Sequence, residues 1–453
     1  MTAEITVLSP HDGTSVGTLP CASEDDVRGA VAAARAASRA WARTSPEERG
    51  TILRTAADAL AEHAEELAAL NTQETGKLPD EARGGVEAGV GTLRQYAELG
   101  PVHRGHSLRG SALAGDWTVA EPRGVVAAVT PWNDPVAVAA GLLGAALVTG
   151  NTVVHKPSER CPHTGARLGE VLSAALPRDV LITVTGGPDT GRALTRLPDL
   201  DVVAHVGSSA TGEAIARAAV ETGVHVIREN GGNDPLVIDD DVDPSWAAEQ
   251  AAIGAFTNAG QICTSVERIY VHRGIAEPFL EALAGQARSR NTDGSLAPLV
   301  DHRMREEVHR HVTEALDRGA TALEGARIPD GAGSSYPATV LRDCTDDMLV
   351  MSEETFGPVA PVLVVESFDE GLRRAAEDRY GLAATVLTGR ISHAQQAIAE
   401  LEVGTVKVNN VFGGAPGGAA QPRRASGDGF GYGPELLDEM TQVKVVHVEM
   451  PPV

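Results

Sequence analysis

Between Gly124 and Gly232 the chain alternates apolar runs with helical stretches, and this alternation limits the fold more than any other feature. "GVVAAVTPW" is an apolar strand. "NDPVAVAAGLLGAALVTGN" is a helix, with Asp134 placed to cap it, Pro135 opening it and its end near Gly150. "TVVHKPSE" is a second strand, followed by a helix to Leu176 and the strand "VLITVTGG". "DVVAHVGSSATGEAIARAAVETGVHVIREN" then holds strand, turn, helix and strand in one short stretch. Parallel strands need long crossovers, and helices in those crossovers cover both faces of the sheet. The fold class is therefore α/β, with a Rossmann-like parallel sheet.

A second α/β block carries the strands "PLVID", "ERIYVHR", "APVLVV", "GLAATVLT" and "GTVKVN". The chain closes on "VKVVHVEM", an alternating end strand of the kind that pairs outside its own domain. The first hundred residues read as helix. There "SPEE" forms a capping box from Ser45 and Glu48, and Pro46 takes the first helical position. With 453 residues, two or more domains are expected.

The net charge of -24 repels phosphate backbones and anionic lipid, so nucleic acid and membrane surfaces are not expected partners. The longest apolar run, Val136 to Val148, is 13 residues, too short to span a bilayer. "MTAEITVLSP" lacks the features of a secretory signal. Cys21, Cys161, Cys263 and Cys344 are widely spaced, which fits reduced cytoplasmic thiols rather than a disulfide frame or a zinc site. His302, His309 and His311 mix with Arg and Glu and read as a solvated helix face, so no metal site is expected.

Four polar clusters fall at the carboxyl ends of predicted strands, where open parallel sheets bind ligands: "TPWND", "HKPSE", "HVGSS" and "RENGG". No GxGxxG follows a strand and no GxxxxGK[ST] loop exists. A dinucleotide would need other holds. Gly207 and Ser208 open a helix whose N–H groups can meet a pyrophosphate, and Lys156 and Glu159 can bind ribose hydroxyls. Cys263 lies in "NAGQICTS", which is low in bulk, as a nucleophile that must be reached would be. The alternative for such a residue is an inert buried thiol. Glu229 is a candidate general base, or else a salt-bridge partner or cap. Asn133 either caps the following helix or donates its amide to an oxyanion.

Six motifs occur in order: "PWN" (Pro131–Asn133), "KPSE" (Lys156–Glu159), "VGSS" near Gly207, "ENGG" (Glu229–Gly232), "GQIC" (Gly260–Cys263) and "EETFGPV" (Glu353–Val359). With them the chain resembles the NAD(P)-dependent aldehyde dehydrogenase superfamily, from about residue 5 to the C-terminus. The resemblance implies a cofactor domain (1–100 and 123–229), a catalytic domain (230–430) and an oligomerisation arm (101–122 and 431–453) of a homodimer or homotetramer. It implies Cys263 as nucleophile and Glu229 as base, with Asn133 and the Cys263 N–H as oxyanion hole. Trp132, Lys156, Ser158, Glu159, Gly207, Ser208, Glu354 and Phe356 would contact NAD, or NADP in its place. Lys156 and Glu159 would lie at the adenosine ribose and Glu354 at the nicotinamide ribose, with Phe356 against the ring. The implied reaction oxidises an aldehyde to a carboxylic acid through a cysteine thioester.

Two other readings share the fold. A CoA-acylating relative generally lacks the base, against which Glu229 argues; a catalytically silent NAD-binding protein has no need of Cys263, Glu229 and Asn133 together. The chain departs from the family at Asn230, where Leu is usual, and in "SRNTDGSLAPLV", which is shorter than usual. It also has "GGAAQPRRASG" in place of a Pro-aromatic-Gly-Gly segment, with Arg424 near the usual Lys. Val138 and Gly141 share a helix face on the implied aldehyde tunnel and are small, as are Ala415 and Gly418 opposite. A roomy apolar tunnel suits aromatic or longer aliphatic aldehydes. Arg423 or Arg424, if turned inward, would favour an anionic semialdehyde.

Overall fold

The computed structural model describes residues 3–413 and 421–449. Its first sheet has six strands, in the spatial order Gly427–Asp428, His225–Glu229, Val202–Val206, Val125–Val129, Thr152–Lys156 and Leu181–Thr183. All run parallel except Gly427–Asp428, which pairs antiparallel with Glu229 and Arg228. Successive residues of one strand face opposite sides. Val126 and Ala128 join the core under the helices Pro46–Glu62, Pro79–Leu99 and Pro135–Val148. Val125 and Ala127 join the core under the helix Glu24–Arg43. Burial on both faces is why these strands read as unbroken apolar runs.

The second sheet has seven strands, in the order Thr321–Glu324, Thr339–Arg342, Val359–Val365, Val266–His272, Asp234–Ile238, Ala383–Leu387 and Thr405–Val408. Only its first strand is antiparallel. A third sheet joins Thr441–Glu449, Ala114–Pro122 and Ser107–Leu108, with nine residues in register from Thr441 opposite Pro122 to Glu449 opposite Ala114. Before that last strand the chain returns to the first sheet, where Leu436, Leu437 and Met440 enter the core. Asn230 to Asn233 carry the chain from the last parallel strand of the first sheet directly into the second, so Glu229 stands at the junction of the two.

Four details differ from the sequence reading. Glu4–Leu8 and Ser15–Pro20 form an antiparallel hairpin ahead of the helices. Its turn holds Gly13 at φ 75°, a left-handed position that glycine fills at little cost. Ser45 accepts from the Glu48 N–H at 3.2 Å, half of the expected box, and the reciprocal pair forms at Ser23 and Asp26 instead. Asp134 precedes its helix without a capping bond because its carboxylate pairs with Lys77 at 3.3 Å. His311 is buried and bonds Thr355 Oγ1 at 3.2 Å, so the His302–Asp317 helix is not polar all round.

Candidate active site

The parallel strands of the first sheet end on the same edge. Trp132 and Asn133 follow one strand end, Ser158 and Glu159 follow Lys156, and Gly207 and Ser208 follow Val206. All of them line a cleft of about 670 Å³ that also reaches Cys263, Glu354 and Phe356. Every residue expected at the cofactor therefore meets at one place. Lys156 Nζ lies 3.3 Å from Glu159 Oε2. Burial pushes the Glu159 carboxyl up, but Lys156, a backbone hydrogen bond and Arg160 together outweigh this and hold it below its ordinary value. Ser208 caps the helix Ser209–Thr222 by accepting from the Thr211 N–H, and the first N–H groups of that helix have no partner within it.

Cys263 is placed by a constrained loop. Asn258, Ala259 and Gly260 have φ of 48°, 54° and 73°, three left-handed residues in a row after the helix Pro244–Phe256. A side chain at Gly260 would come within 2.1 Å of the Gly357 carbonyl oxygen, so the position admits only glycine. Gln261 is buried, donates to Asn258 O at 2.9 Å and Pro298 O at 3.3 Å, and accepts from the Val300 N–H at 2.9 Å. The loop is thus fixed on the N-terminal side of the cysteine, and the strand Val266–His272 begins three residues after it.

Cys263 Sγ donates to Glu229 Oε1 at 3.6 Å. Burial raises the Glu229 carboxyl above its usual range. Burial, and then the carboxylates of Glu229, Asp234 and Glu354, push the Cys263 thiol well up. At rest the proton stays on sulfur, with a carboxylate within reach of it. Asn133 Nδ2 donates one N–H to Gln261 O at 3.1 Å, and the amide has a second N–H to give. Lys77 Nζ, at 3.2 Å, and Asn258 Nδ2, at 3.4 Å, fix the Asn133 carbonyl. Asn133 therefore ties the cofactor edge to the cysteine loop and does not cap the helix.

Glu354 accepts from the Gly232 N–H at 3.0 Å, and burial raises its carboxyl to about 7. A side chain at Gly231 would meet Glu354 Oε2 at 2.0 Å, which accounts for a glycine there. Phe356 sits edge-on to Trp132, with ring centroids 5.7 Å apart. Asn230 donates from Nδ2 to Ala425 O at 2.9 Å and from its backbone to Ser426 O at 2.8 Å. The Asn where Leu is usual thus pins the late loop.

The sequence model of the aldehyde dehydrogenase family matches residues 1–446. The chain belongs to the aldehyde dehydrogenase family. As a member it is an oxidoreductase that acts on aldehydes. Among solved structures it is similar to an NAD-dependent aldehyde dehydrogenase from Sinorhizobium meliloti, at 34% identity and a TM-score of 0.96 over 100% of this chain and 93% of that one. It is also similar to an NADP-dependent enzyme of E. coli, at 31% identity and a TM-score of 0.95 over 99% and 95% of the two chains. A betaine aldehyde dehydrogenase from Staphylococcus aureus, solved in complex with NAD+, matches at 29% identity and a TM-score of 0.96 over 99% and 92%.

Two residues beside the site escaped the sequence reading. Glu267 accepts from the Thr355 and Phe356 N–H groups at 3.0 Å each and so holds the "EETFG" loop. Its signal was a lone carboxylate in an apolar strand. Tyr432 packs its ring against Gly141, where an added Cβ would lie 2.8 Å from Tyr432 Cε2. The space beside Gly141 is therefore filled, against the expectation of a roomy tunnel there; Val138 does line the cleft. Ala415 and Gly418 lie outside the described residues. Arg423 is exposed, and Arg424 binds the carbonyls of Ala376 and Asp378 and pairs with Glu402, so its charge is spent away from the cysteine. Among the described residues no helix is long and apolar enough to cross a membrane.

Proposed function

We propose that this enzyme oxidises an aldehyde to the carboxylic acid with NAD in preference to NADP, through Cys263. The observation that carries the reading is the Cys263 Sγ to Glu229 Oε1 approach of 3.6 Å at the end of the cleft. The cleft suits a dinucleotide: its volume is in the range of cofactor sites, and an open helix N-terminus at Ser208 suits a pyrophosphate. Lys156 and Glu159 would hold the adenosine ribose, Glu354 the nicotinamide ribose, with Phe356 and Trp132 beside the ring. The cofactor unit would comprise 1–100 and 123–229 with Gly427–Asp428 and Leu436–Met440 added. Residues 230–430 otherwise form the catalytic unit, and 101–122 with the last strand form the arm of a homo-oligomer.

Glu229 takes the thiol proton, and the thiolate adds to the carbonyl carbon. The Asn133 amide and the Cys263 N–H stabilise the resulting oxyanion. When bound, NAD supplies the hydride acceptor for the adduct. Loss of hydride leaves a thioester on Sγ. Glu229, having passed the first proton to solvent, draws a proton from water as the water attacks the thioester and hands it to the departing sulfur, so the thiol is restored and the acid leaves as its carboxylate with its own proton lost to solvent. Retention of a base next to the sulfur favours water over CoA as the acyl acceptor. The test is NADH formation with a panel of aldehydes. Cys263→Ala is expected to abolish it while calorimetry still detects NAD+ binding. Unchanged turnover in Cys263→Ala would remove the nucleophile.

A further inference from the structure

We propose that Tyr432 is the wall that sets how large an aldehyde can reach Cys263, an inference that rests on the function proposed above. Cys263 and Asn133 line the dinucleotide cleft, and Glu229 does not, although its carboxylate is 3.6 Å from the sulfur. The base is therefore set back from the cleft, and we place the aldehyde on its side of the sulfur. Tyr432 borders that side. A side chain on its neighbour Gly431 would come 2.4 Å from Glu229 Oε2. The Tyr432 ring itself covers Gly141, on the helix that begins two residues after Asn133.

The contact is a lock of complementary shapes. An added Cβ at Gly141 would meet Tyr432 Cε2 at 2.8 Å and Cδ2 at 3.1 Å, closer than packed atoms tolerate. The ring occupies the notch that the glycine leaves, and the two residues must change together. Two hydroxyl contacts hold the wall in place. Tyr432 Oη bonds Thr92 Oγ1, and Tyr96 Oη donates to Gly433 O at 3.0 Å. Thr92 and Tyr96 are one turn apart on the helix Pro79–Leu99, so one helix face straps the segment that carries both the ring and the glycine beside Glu229. Tyr432 is half-buried. A rigid aromatic fixed at its tip excludes bulk better than a flexible side chain would.

The experiment compares kcat/KM for hexanal and acetaldehyde in the parent enzyme, Tyr432→Ala and Tyr432→Phe. Tyr432→Ala is expected to raise the hexanal to acetaldehyde ratio about tenfold, the effect of a methylene or two admitted to an apolar site. Tyr432→Phe keeps the ring and leaves the ratio near that of the parent. Adding Gly141→Leu to Tyr432→Ala refills the notch and returns the ratio toward the parent value. A second measurement needs no turnover: alkylation of Cys263 by iodoacetamide and by its N-benzyl derivative, followed by peptide mass spectrometry. Tyr432→Ala should speed the bulky reagent selectively. An enzyme that oxidises neither aldehyde yet shows this labelling shift would lose the aldehyde reading and keep the wall. Labelling selectivity unchanged in Tyr432→Ala would overturn the wall, whatever the turnover.

Discussion

A thiol and a carboxyl at 3.6 Å, each driven toward its neutral form by burial, titrate as a coupled pair. In the proposed mechanism deacylation needs Glu229 to take a proton from water, whereas hydride loss itself does not. Glu229→Gln should therefore give one burst of NADH, slower than the parent's because the thiol also loses its base, and then turnover slowed by about 10²-fold or more. Steady-state turnover at the parent rate would assign the water step elsewhere. Because burial raises the Glu229 carboxyl, turnover should also fall with pH through an apparent value above the ordinary carboxylate range. At the other end of the cleft, Glu159 would place like charge beside a 2′-phosphate, so kcat/KM should be higher with NAD than with NADP. A higher value with NADP would mean that Lys156, paired with Glu159 at 3.3 Å, governs the site instead. That Cys263, Glu229 and Asn133 would lie together was legible because each sits in a short motif. Tyr432 was not, since its meaning depends on a glycine in a distant helix that sequence spacing does not connect to it.

Strands that bury both faces announce themselves as apolar runs, so the parallel strands of both sheets were largely readable. The hairpin Glu4–Leu8 and Ser15–Pro20 and the short strands Thr321–Glu324 and Thr339–Arg342 were not, because half-exposed or very short strands carry little periodic signal. The final strand reads as one that pairs outside its own domain, in an arm with residues 101–122, and within the chain it pairs with Ala114–Pro122. Thr441–Glu449 is the edge of its sheet, and Val443 and Val445 are 70% and 67% exposed on it. An open edge with exposed valines invites a second copy. Val443→Lys with Val445→Lys should reduce the mass measured by light scattering from that of an oligomer to that of a single chain. An unchanged mass would place the subunit contact on another surface.

At the scale of the whole molecule, the carboxyls of Asp234, Glu267 and Glu354 around the cysteine loop make stability depend on pH. Burial raises Asp234 and Glu267 to about 8 and Glu354 to about 7, and Glu354 lies close enough to the other two to repel both when charged. In the unfolded chain the same groups titrate near 4. The folded state thus keeps protons that the unfolded state has released. The stability this contributes is complete below about pH 4 and is lost as pH rises through about 7 to 8. The thiols of Cys161 and Cys344, also raised by burial, act in the same direction above about pH 8.5. So does the net charge of -24, which grows as remaining protons leave. His155 and His205, which burial lowers to about 3 and 4, are neutral in both states above about pH 7.5 and do not oppose the trend there. At fixed protein concentration, Tm should fall steadily from about pH 7 to about pH 9. Glu267→Gln should flatten that fall, because one proton difference is gone, even if its Tm at neutral pH is lower from the altered hold on Thr355 and Phe356. A Tm that stays level or rises across this window would mean the three carboxyls are already ionised in the folded enzyme, with water or Lys407 meeting the charge that burial otherwise leaves unpaired.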